Sequence, residues 1–351
     1  EFVKEAFKLY PNIHFFVPFP DSKSGFKYDY DGTFDLPNVT RIAMRMFPSR
    51  YVSIFHHDSI LWNRIKQDYI IDCFWVNDIE KLGTHKTTYQ SNNAENRPVF
   101  IGSHHWMIHK SLQKIYADAD GRQTASEISS MVGSFCSDHI FFNSPYTKKM
   151  FIESTKKYFC KDFIDNCIQK SSLQPCAVIG ESLKYNDIQN DIPVFVYNHR
   201  LQAYKKYKQT FEVFNDLYQE GLKFKVIVVN TNREYHKQLL NYPFVETKVV
   251  KTRKQYISVL KKADINCLNS AYETFCICAI ESMALGHVLI APNDITFPYI
   301  TGQKENNYPY LFNSISEQKE IMRKLIKNKT ERKKWGKILS DYIHTNFSVT
   351  S

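Results

Sequence analysis

Two glutamates stand in an otherwise apolar stretch in the second half of the chain. The stretch Y-E-T-F-C-I-C-A-I-E-S-M-A-L-G, residues 272–286, carries Glu273 near its start and Glu281 in its middle. The pattern predicts a helix over residues 274–285, about three turns long and apolar on nearly all sides, hence buried. A buried carboxylate is costly unless it is paired or hydrogen-bonded. We therefore expect Glu281 to meet a protein cation or a ligand with several hydroxyls, or to face a solvent gap.

The two ends of this predicted helix carry recognisable signals. Ser270 and Thr274 are both plausible N-cap residues, and Gly286 suits the C′ position that ends a helix. Glu273 stands at the entrance, beside the positive end of the helix dipole. Backbone N–H groups at such an entrance can also hold a phosphate.

Histidines and cysteines are the other residues that could do chemistry. His105 and His109 are one helical turn apart, which suits a metal pair, but no third ligand accompanies them. Cys276 and Cys278 form the closest pair among eight cysteines. A spacing of two inside a helix suits neither a disulfide nor a zinc knuckle, so we assign no metal. Scattered, unpaired cysteines indicate reduced thiols and a cytoplasmic setting.

The elements that position these residues alternate between strand and helix along the chain. This alternation predicts an α/β fold with parallel sheets. Strands are expected over residues 13–19, 51–55, 69–76, 98–102, 139–143, 193–197, 224–229, 265–268 and 288–291. Helices are expected over residues 1–10, 125–136, 146–159, 206–220 and 253–262, besides the helix with the glutamates.

Length and patterning predict two domains. A chain of 351 residues is too long for one typical core. The stretch 170–193 lacks strong periodicity, so we place the linker there and the domains at 1–185 and 186–351. Two similar α/β halves predict a small-molecule site in a cleft between them. Because the chain opens in a helix, we expect a first strand to precede it.

Composition excludes some classes and favours one kind of partner. No apolar run approaches the ~20 residues of a membrane span, and no signal peptide opens the sequence. The formal net charge is +10. Such a charge favours association with a polyanion, although it says nothing about the fold.

The segment with the two glutamates resembles a known family. Glu-x7-Glu followed by S-M-A-L-G and an apolar strand is similar to the donor-binding signature of retaining glycosyltransferases with two Rossmann-like domains (GT-B), especially family 4. The resemblance implies that Glu281 binds the ribose hydroxyls of a nucleotide sugar. It implies that Glu273 contacts hydroxyls of the transferred sugar, and that Thr274 and Phe275 lend backbone N–H groups near the diphosphate.

A second segment, V-F-V-Y-N-H-R-L-Q-A-Y-K-K at residues 194–206, resembles the first strand and loop of the family's C-terminal domain. The resemblance implies that Arg200 and Lys205 hold the diphosphate, with Lys206 as a competitor for Lys205. His199 stands where the family usually has glycine. Two fixed cations would stabilise the negative charge on a leaving nucleoside diphosphate. The resemblance implies a UDP-sugar donor, and because such cations can do the work of a metal ion, we expect no cofactor.

A third segment, R-P-V-F-I-G-S-H-H-W at residues 97–106, ends a predicted strand in two histidines. It resembles a segment of the phage enzymes that glucosylate hydroxymethylcytosine in DNA. The resemblance points to His104, with His105 as competitor, as a residue that contacts the donor sugar or handles the acceptor proton. The alternative is that these histidines are structural. His56-His57-Asp58 is a candidate for lining the acceptor site, although a structural role is favoured.

These observations predict transfer of a glycosyl unit to an acceptor hydroxyl, with retention implied by the resemblance. The leading acceptor is a hydroxymethylated pyrimidine in DNA, favoured by the net charge, the 15% of aromatic residues and the His104 segment. The N-H-R sequence also resembles enzymes that glycosylate queuosine in transfer RNA, so transfer RNA or a saccharide is the alternative acceptor. A non-catalytic nucleic-acid-binding module with this fold, and a metal-dependent hydrolase, are the rival classes.

Overall fold

The computed structural model describes residues 11–20, 36–44, 72–76, 79–83, 85–87, 97–105, 122–177, 183–187, 190–230 and 239–348. The chain divides into two compact units, Glu1–Pro175 and Cys176–Ser351. The predicted opening helix, the predicted strand over 51–55, the His56-His57-Asp58 cluster and His109 lie outside the described residues.

The first unit contains two parallel sheets. One has two strands, β1 (Phe15–Pro20) and β2 (Val39–Met44). The other has four strands in the order β3 (Cys73–Val76), β4 (Val99–His104), β5 (His139–Phe142) and β6 (Ser171–Leu173). Its described helices are a 3₁₀ turn over Ile79–Lys81, α1 (Arg122–Cys136), α2 (Pro145–Thr155) and α3 (Lys161–Gln169).

Local sequence explains how the helices of this unit begin and what they cover. Ser144 caps α2, because its side chain accepts a hydrogen bond from the Thr147 N–H at 3.1 Å, and Pro145 stands at the first position, where its missing N–H is harmless. Phe142 and Phe151 are fully buried, with ring centroids 5.4 Å apart. Burying one such ring contributes roughly 1.5–3 kcal/mol relative to exposure.

The second unit is built on one six-stranded parallel sheet. Its strand order is β12-β11-β10-β7-β8-β9. The strands are β7 (Val194–Tyr197), β8 (Lys225–Asn230), β9 (Val245–Val249), β10 (Ile265–Cys267), β11 (Val288–Pro292) and β12 (Leu311–Phe312). The helices are a 3₁₀ turn over Ala203–Lys205, α4 (Tyr207–Gln219), α5 (Arg253–Leu260), α6 (Ile277–Ala284), α7 (Phe297–Ile300), α8 (Gln303–Asn306), α9 (Ile315–Lys327) and α10 (Lys329–Asn346).

The order of these strands is that of a dinucleotide-binding sheet. Counted from β7, it reads 6-5-4-1-2-3, so the chain moves outward in one direction and then returns to the other side of β7. The reversal lies between β7 and β10. In open parallel sheets, ligands bind outside the carboxyl ends of the strands at this switch point. The fold therefore directs attention to the loops that follow β7 and β10.

Burial along the central strands follows from their position. All four residues of β7 and all three of β10 are buried, as expected for parallel strands covered by helices on both faces. Asp264, just before β10, accepts hydrogen bonds from the Val194 and Asn190 backbone N–H groups at 2.8 and 3.1 Å. This carboxylate fixes the start of β7 beside β10.

The end of α6 is locked against α10. Gly286 has φ +97°, which a glycine adopts without strain, and its predicted place at C′ is confirmed. A Cβ at Gly336 would stand 2.1 Å from the Gly286 carbonyl oxygen, so glycine is required for this approach. Ser340 adds a hydrogen bond from its hydroxyl to the Ala284 carbonyl at 2.7 Å.

The α/β class and the parallel sheets are confirmed, but two local predictions were wrong. The glutamate-bearing helix runs over Ile277–Ala284 and is one turn shorter than predicted at its start. Its N-cap is Cys276, so neither Ser270 nor Thr274 caps it. The division between the two units, after Pro175, falls inside the stretch 170–193 where we place the linker, and β6 lies at the start of that stretch. Within the part of the chain that the structure describes, no helix could cross a membrane.

Candidate active site

The loops after β7 and β10 meet at the carboxyl edge of the second sheet. Asn198 follows β7 directly, and its side-chain oxygen accepts a hydrogen bond from Asn266 of β10 at 2.9 Å. Further along, the Ala271 N–H donates to the Tyr204 carbonyl at 2.8 Å. Two separate hydrogen bonds therefore hold the two loops side by side, at the switch point of the sheet.

Lys205 and Glu273 form an ion pair across these loops. The Lys205 ammonium donates to Glu273 Oε1, and their side chains are only 8% and 14% exposed. His199 Nε2 lies 3.2 Å from the same carboxylate oxygen. Lys206, the competing lysine in the sequence, is exposed and has φ 48° at the N-cap of α4. The structure thus places Lys205, and not Lys206, beside Glu273.

The charges in this cluster are set by burial and by the ion pair. Burial acts to lower the pKa of Lys205, but the Glu273 carboxylate outweighs it and the pKa is raised. Burial, followed by the charges of Lys205 and Arg200, lowers the pKa of His199 well below its usual range. Lys205 is therefore charged and His199 neutral at physiological pH, so the cluster holds one fixed cation.

Glu281 is buried in α6 and held by two groups from α5. Arg253 forms an ion pair with Glu281 Oε1, and the Tyr256 hydroxyl donates to Oε2 at 2.9 Å. The Glu281 side chain is 6% exposed, whereas that of Arg253 is 43% exposed. Burial, and then the Glu281 charge, raises the pKa of Tyr256 well above 10. Of the sequence alternatives for Glu281, the protein cation is the one found.

Asn198 connects the surroundings of the two glutamates. Its amide donates to the Tyr256 hydroxyl at 3.0 Å and to the Ser282 hydroxyl at 3.1 Å. Asn198 is also the neighbour of His199, which contacts Glu273. Two sets of polar contacts, joined by the peptide bond between Asn198 and His199, thus connect Glu273 and Glu281.

Three other predicted donor-site residues lie in the same loops. Arg200 is exposed, three residues after the end of β7. Thr274 is half-buried, and Phe275 is buried with its ring edge against Phe347 at 5.6 Å. Phe275 therefore anchors the segment that enters α6, and the exposed guanidinium of Arg200 can reach a ligand in solution.

The entry into α6 has an unusual backbone. Cys276 has φ 62°, in the left-handed region that residues with a Cβ seldom adopt. Its sulfur lies 3.3 Å from His199 Nε2 and 3.7 Å from the Cys278 sulfur. Burial raises the pKa of the Cys276 thiol well above its usual value, with the Cys278 hydrogen bond as the next cause.

His104 belongs to the first unit, at the carboxyl end of β4. Its ring is 1% exposed, stacks on Phe142 at 5.0 Å and shares a hydrogen bond between Nε2 and the Ser134 hydroxyl at 2.7 Å. Burial, and then His105, lowers the pKa of His104 to about 3. A neutral ring can take part in a hydrogen bond but is a poor general acid at physiological pH. The catalytic role of His104 stays a prediction.

Sequence reasoning missed Asn198, Arg253 and Tyr256. One signal was available: Thr252 and Gln255 form a capping box that marks the start of α5. Nothing in the sequence connects that helix to Glu281, because the contact depends on how α5 packs beside α6.

Comparison with known proteins identifies the type of fold. Residues 179–339 match the family model described as glycosyl transferases group 1. A comparison with curated protein sequences finds no match. Several solved structures are similar in fold, at sequence identities too low to show more than the fold.

Three of these structures illustrate the likeness. Sucrose-phosphate synthase from Thermosynechococcus elongatus has a TM-score of 0.66 at 12% identity, covering 89% of this chain and 80% of its own. The trehalose 6-phosphate synthase of Burkholderia multivorans has a TM-score of 0.64 at 10% identity, covering 96% of each chain. TarM from S. aureus, in complex with fondaparinux, α-GlcNAc-glycerol and UDP, has a TM-score of 0.55 at 13% identity, covering 74% of this chain and 50% of its own.

These findings agree with the two parallel α/β units. The chain has the two-domain, Rossmann-like GT-B fold. The family match includes Arg200, Lys205, Glu273 and Glu281, so all four predicted charged donor-site residues lie within it. The match to the glycosyl transferases group 1 model agrees with the glycosyltransferase predicted from the sequence.

Proposed function

We propose that this protein is a retaining glycosyltransferase that takes a glycosyl unit from a UDP-sugar and transfers it to an acceptor hydroxyl. The observation that carries the proposal is the placement of Lys205, Glu273 and Glu281 at the switch point of the second sheet. Substrates bind at this place in sheets with this strand order. The spacing of the two glutamates, implied by resemblance to match the ribose and the sugar, supports the same assignment.

Lys205 and Arg200 are assigned to the diphosphate. During transfer, the bond between the anomeric carbon and the diphosphate oxygen breaks, the anomeric carbon bonds to the acceptor oxygen, and the acceptor hydroxyl gives its proton to the leaving diphosphate. The diphosphate gains negative charge as it leaves, and cations aimed at it lower the barrier. Lys205 suits this task because its buried ion pair with Glu273 fixes its position before the donor arrives.

Glu273 and Glu281 are assigned to hydroxyl groups of the donor, Glu273 to the sugar and Glu281 to the ribose. In the structure, Arg253 and Tyr256 hold the Glu281 oxygens. Arg253 is 43% exposed, so its guanidinium can turn into solvent while the ribose hydroxyls take its place on the buried carboxylate. Tyr256 is buried, and we assign it the task of orienting the carboxylate. Thr274 and Phe275 are assigned backbone contacts near the diphosphate.

The identity of the acceptor is the second part of the proposal. The formal net charge of +10 favours a polyanion, which supports the hydroxymethylated pyrimidine in DNA predicted from the sequence. The names of two similar structures, a sucrose-phosphate synthase and a trehalose 6-phosphate synthase, favour a sugar phosphate instead. His104 is proposed, from the resemblance alone, to contact the donor sugar; it is 1% exposed and its Nε2 shares a hydrogen bond with Ser134.

The test is incubation of the purified chain with radiolabelled UDP-glucose and four acceptors supplied separately: hydroxymethylcytosine DNA, unmodified DNA, transfer RNA and glucose 6-phosphate. Label on the hydroxymethylated DNA alone supports DNA as the acceptor. Label on glucose 6-phosphate means instead that the acceptor is a sugar phosphate. Product analysis by NMR reports the anomeric configuration and so tests retention. If UDP binding is undetectable by calorimetry, the proposed donor site is wrong.

The matched control is Glu246→Gln. Glu246 is an exposed glutamate of β9 paired with Lys248, in the same unit but outside the proposed site. The Glu246→Gln variant should transfer sugar at the rate of the wild type, whereas the Glu281→Gln variant should transfer it more slowly. Equal activity in the two variants would contradict the assignment of Glu281.

A further inference from the structure

Three side chains at the start of α6 direct metal-binding atoms toward one another. His199 Nε2, Cys276 Sγ and Cys278 Sγ all lie within 4.8 Å of one another. In the ranges that the structure describes, this is the one group of three or more His, Cys, Asp or Glu residues arranged in this way. We propose that these three side chains bind a single divalent transition metal ion, with zinc as the expected species.

Two of the three distances between the ligand atoms match a tetrahedral zinc site, and the third, between His199 Nε2 and Cys278 Sγ, is within 4.8 Å. Zinc lies about 2.3 Å from a cysteine sulfur and about 2.0–2.1 Å from a histidine nitrogen, which puts two sulfurs about 3.8 Å apart and a sulfur about 3.5 Å from a nitrogen. In the structure, the Cys276 and Cys278 sulfurs are 3.7 Å apart, and His199 Nε2 is 3.3 Å from the Cys276 sulfur. The atoms therefore need to move by only a few tenths of an ångström at these two contacts.

The backbone of Cys276 explains how a spacing of two residues can serve one ion. In a regular helix, side chains two apart point in different directions. Cys276 instead has φ 62° and precedes α6, and this turn brings its sulfur back to that of Cys278. Left-handed residues with a side chain are strained and concentrate at binding sites. The strain thus coincides with the convergence of the ligands.

The chemistry of the ligands selects the metal. Binding requires that the two thiols lose their protons, and the two thiolates then balance the charge of a divalent ion. Sulfur and imidazole ligands favour zinc over magnesium and calcium, which prefer oxygen. Three protein ligands leave the fourth tetrahedral position for a water molecule.

A bound ion would join the two loops of the donor site. His199 follows β7, whereas Cys276 and Cys278 belong to the segment that follows β10. The ion would therefore fix the relative positions of the loops that carry Lys205 and Glu273. The inference stands on the three ligands alone and does not depend on the proposed function.

The experiment measures bound metal in the full chain. Protein stripped with a chelator under reducing conditions is given one equivalent of zinc, passed through a desalting column and analysed by mass spectrometry for metal. We expect one zinc per chain in the wild type and almost none in Cys276→Gly, Cys278→Ser and His199→Gln. Cys276→Gly is the most informative variant, because glycine relieves the left-handed strain and so preserves the fold. Circular dichroism checks that it does.

A cobalt spectrum and a control cysteine variant test whether the metal is bound by the proposed cysteines. Cobalt in place of zinc should give a thiolate-to-metal charge-transfer band that weakens in Cys278→Ser. Cys160→Ser, an exposed cysteine of the first unit, should keep both the metal and the band. The proposal is overturned if the wild type retains no zinc, if the ligand variants retain as much as the wild type, or if Cys276 and Cys278 form a disulfide in the presence of zinc.

Discussion

The ammonium of Lys205 and the carboxylate of Glu273 meet although 68 residues separate them in the sequence. Each follows a strand of the same parallel sheet, and the switch point between β7 and β10 brings the two loops together. Because both side chains are largely buried, the pair holds a cation and an anion in fixed positions where a donor diphosphate and its sugar are proposed to bind.

Glu281 is the first residue to test by mutation. Glu281→Gln removes the charge but keeps the shape, so UDP-glucose binding should weaken about 10- to 100-fold, since a hydrogen bond to a charged group contributes about 1.5–3 kcal/mol. Isothermal titration calorimetry measures the change. Unaltered affinity in this variant would mean that Arg253 keeps Glu281 occupied when the donor is bound, and that the carboxylate is structural.

Lys205 should affect the chemical step more than binding. Lys205→Met removes the cation that is proposed to stabilise the leaving diphosphate. The value of kcat should therefore fall about 100- to 1,000-fold, as for other groups that stabilise developing charge. The measurement is UDP release at saturating donor. Lys206→Met is the matched control, because Lys206 is exposed. If Lys206→Met is as damaged as Lys205→Met, the assignment of the phosphate-binding lysine is wrong.

Stability of the second unit should fall as the pH drops below about 6.5. Burial lowers the pKa of His287 to about 4, whereas an unfolded histidine titrates near 6.5. Between these values the unfolded chain binds more protons than the folded one, so the free energy of unfolding decreases by up to about 1.4 kcal/mol per pH unit. Urea denaturation at several pH values measures the slope. His287→Asn should reduce the slope without abolishing it, because burial also lowers the pKa of His199 in the same unit. An unchanged slope would rule out His287 as a source.

Replacing Gly336 with alanine tests whether close packing or helix propensity dominates the free energy of unfolding at this position. In an exposed helix, Gly→Ala stabilises by roughly 0.5–1 kcal/mol. At Gly336, however, the new Cβ would stand 2.1 Å from the Gly286 carbonyl oxygen. Gly336→Ala should therefore destabilise by about 3 kcal/mol, at the upper end of overpacking costs. Chemical denaturation shows whether the free energy of unfolding rises or falls. Lys334→Ala, at an exposed position of the same helix, is the control.

The elements of the second unit were predictable because its sheet is buried on both faces. Runs such as 194–197 and 288–291 are almost wholly apolar, and such runs are typical of central parallel strands. The strands at the sheet edges were harder to predict. β9 reads V-E-T-K-V, and β12 has only two residues, so neither gives a strong apolar signal.

The residues of the candidate site were partly predictable. The glutamates were noticeable because a charge in an apolar helix needs a partner, but the sequence did not identify Arg253, 28 residues away, as that partner of Glu281. The left-handed turn at Cys276 was also missed, because helical periodicity continues through it and hides the later start of α6. Contacts between separate elements depend on packing, which a periodic pattern does not encode.

The order of the strands has a consequence for how the second unit folds. β7 pairs with β8, its neighbour in sequence. Its other partner, β10, is separated from it in the sequence by β8, β9 and α5. Closing such a long loop is entropically unfavourable before the contacts it brings are formed, so folding should be slow. Nucleotide binding should then appear late in refolding, after main-chain structure is complete. The time at which UDP binding recovers would therefore report the last step of folding.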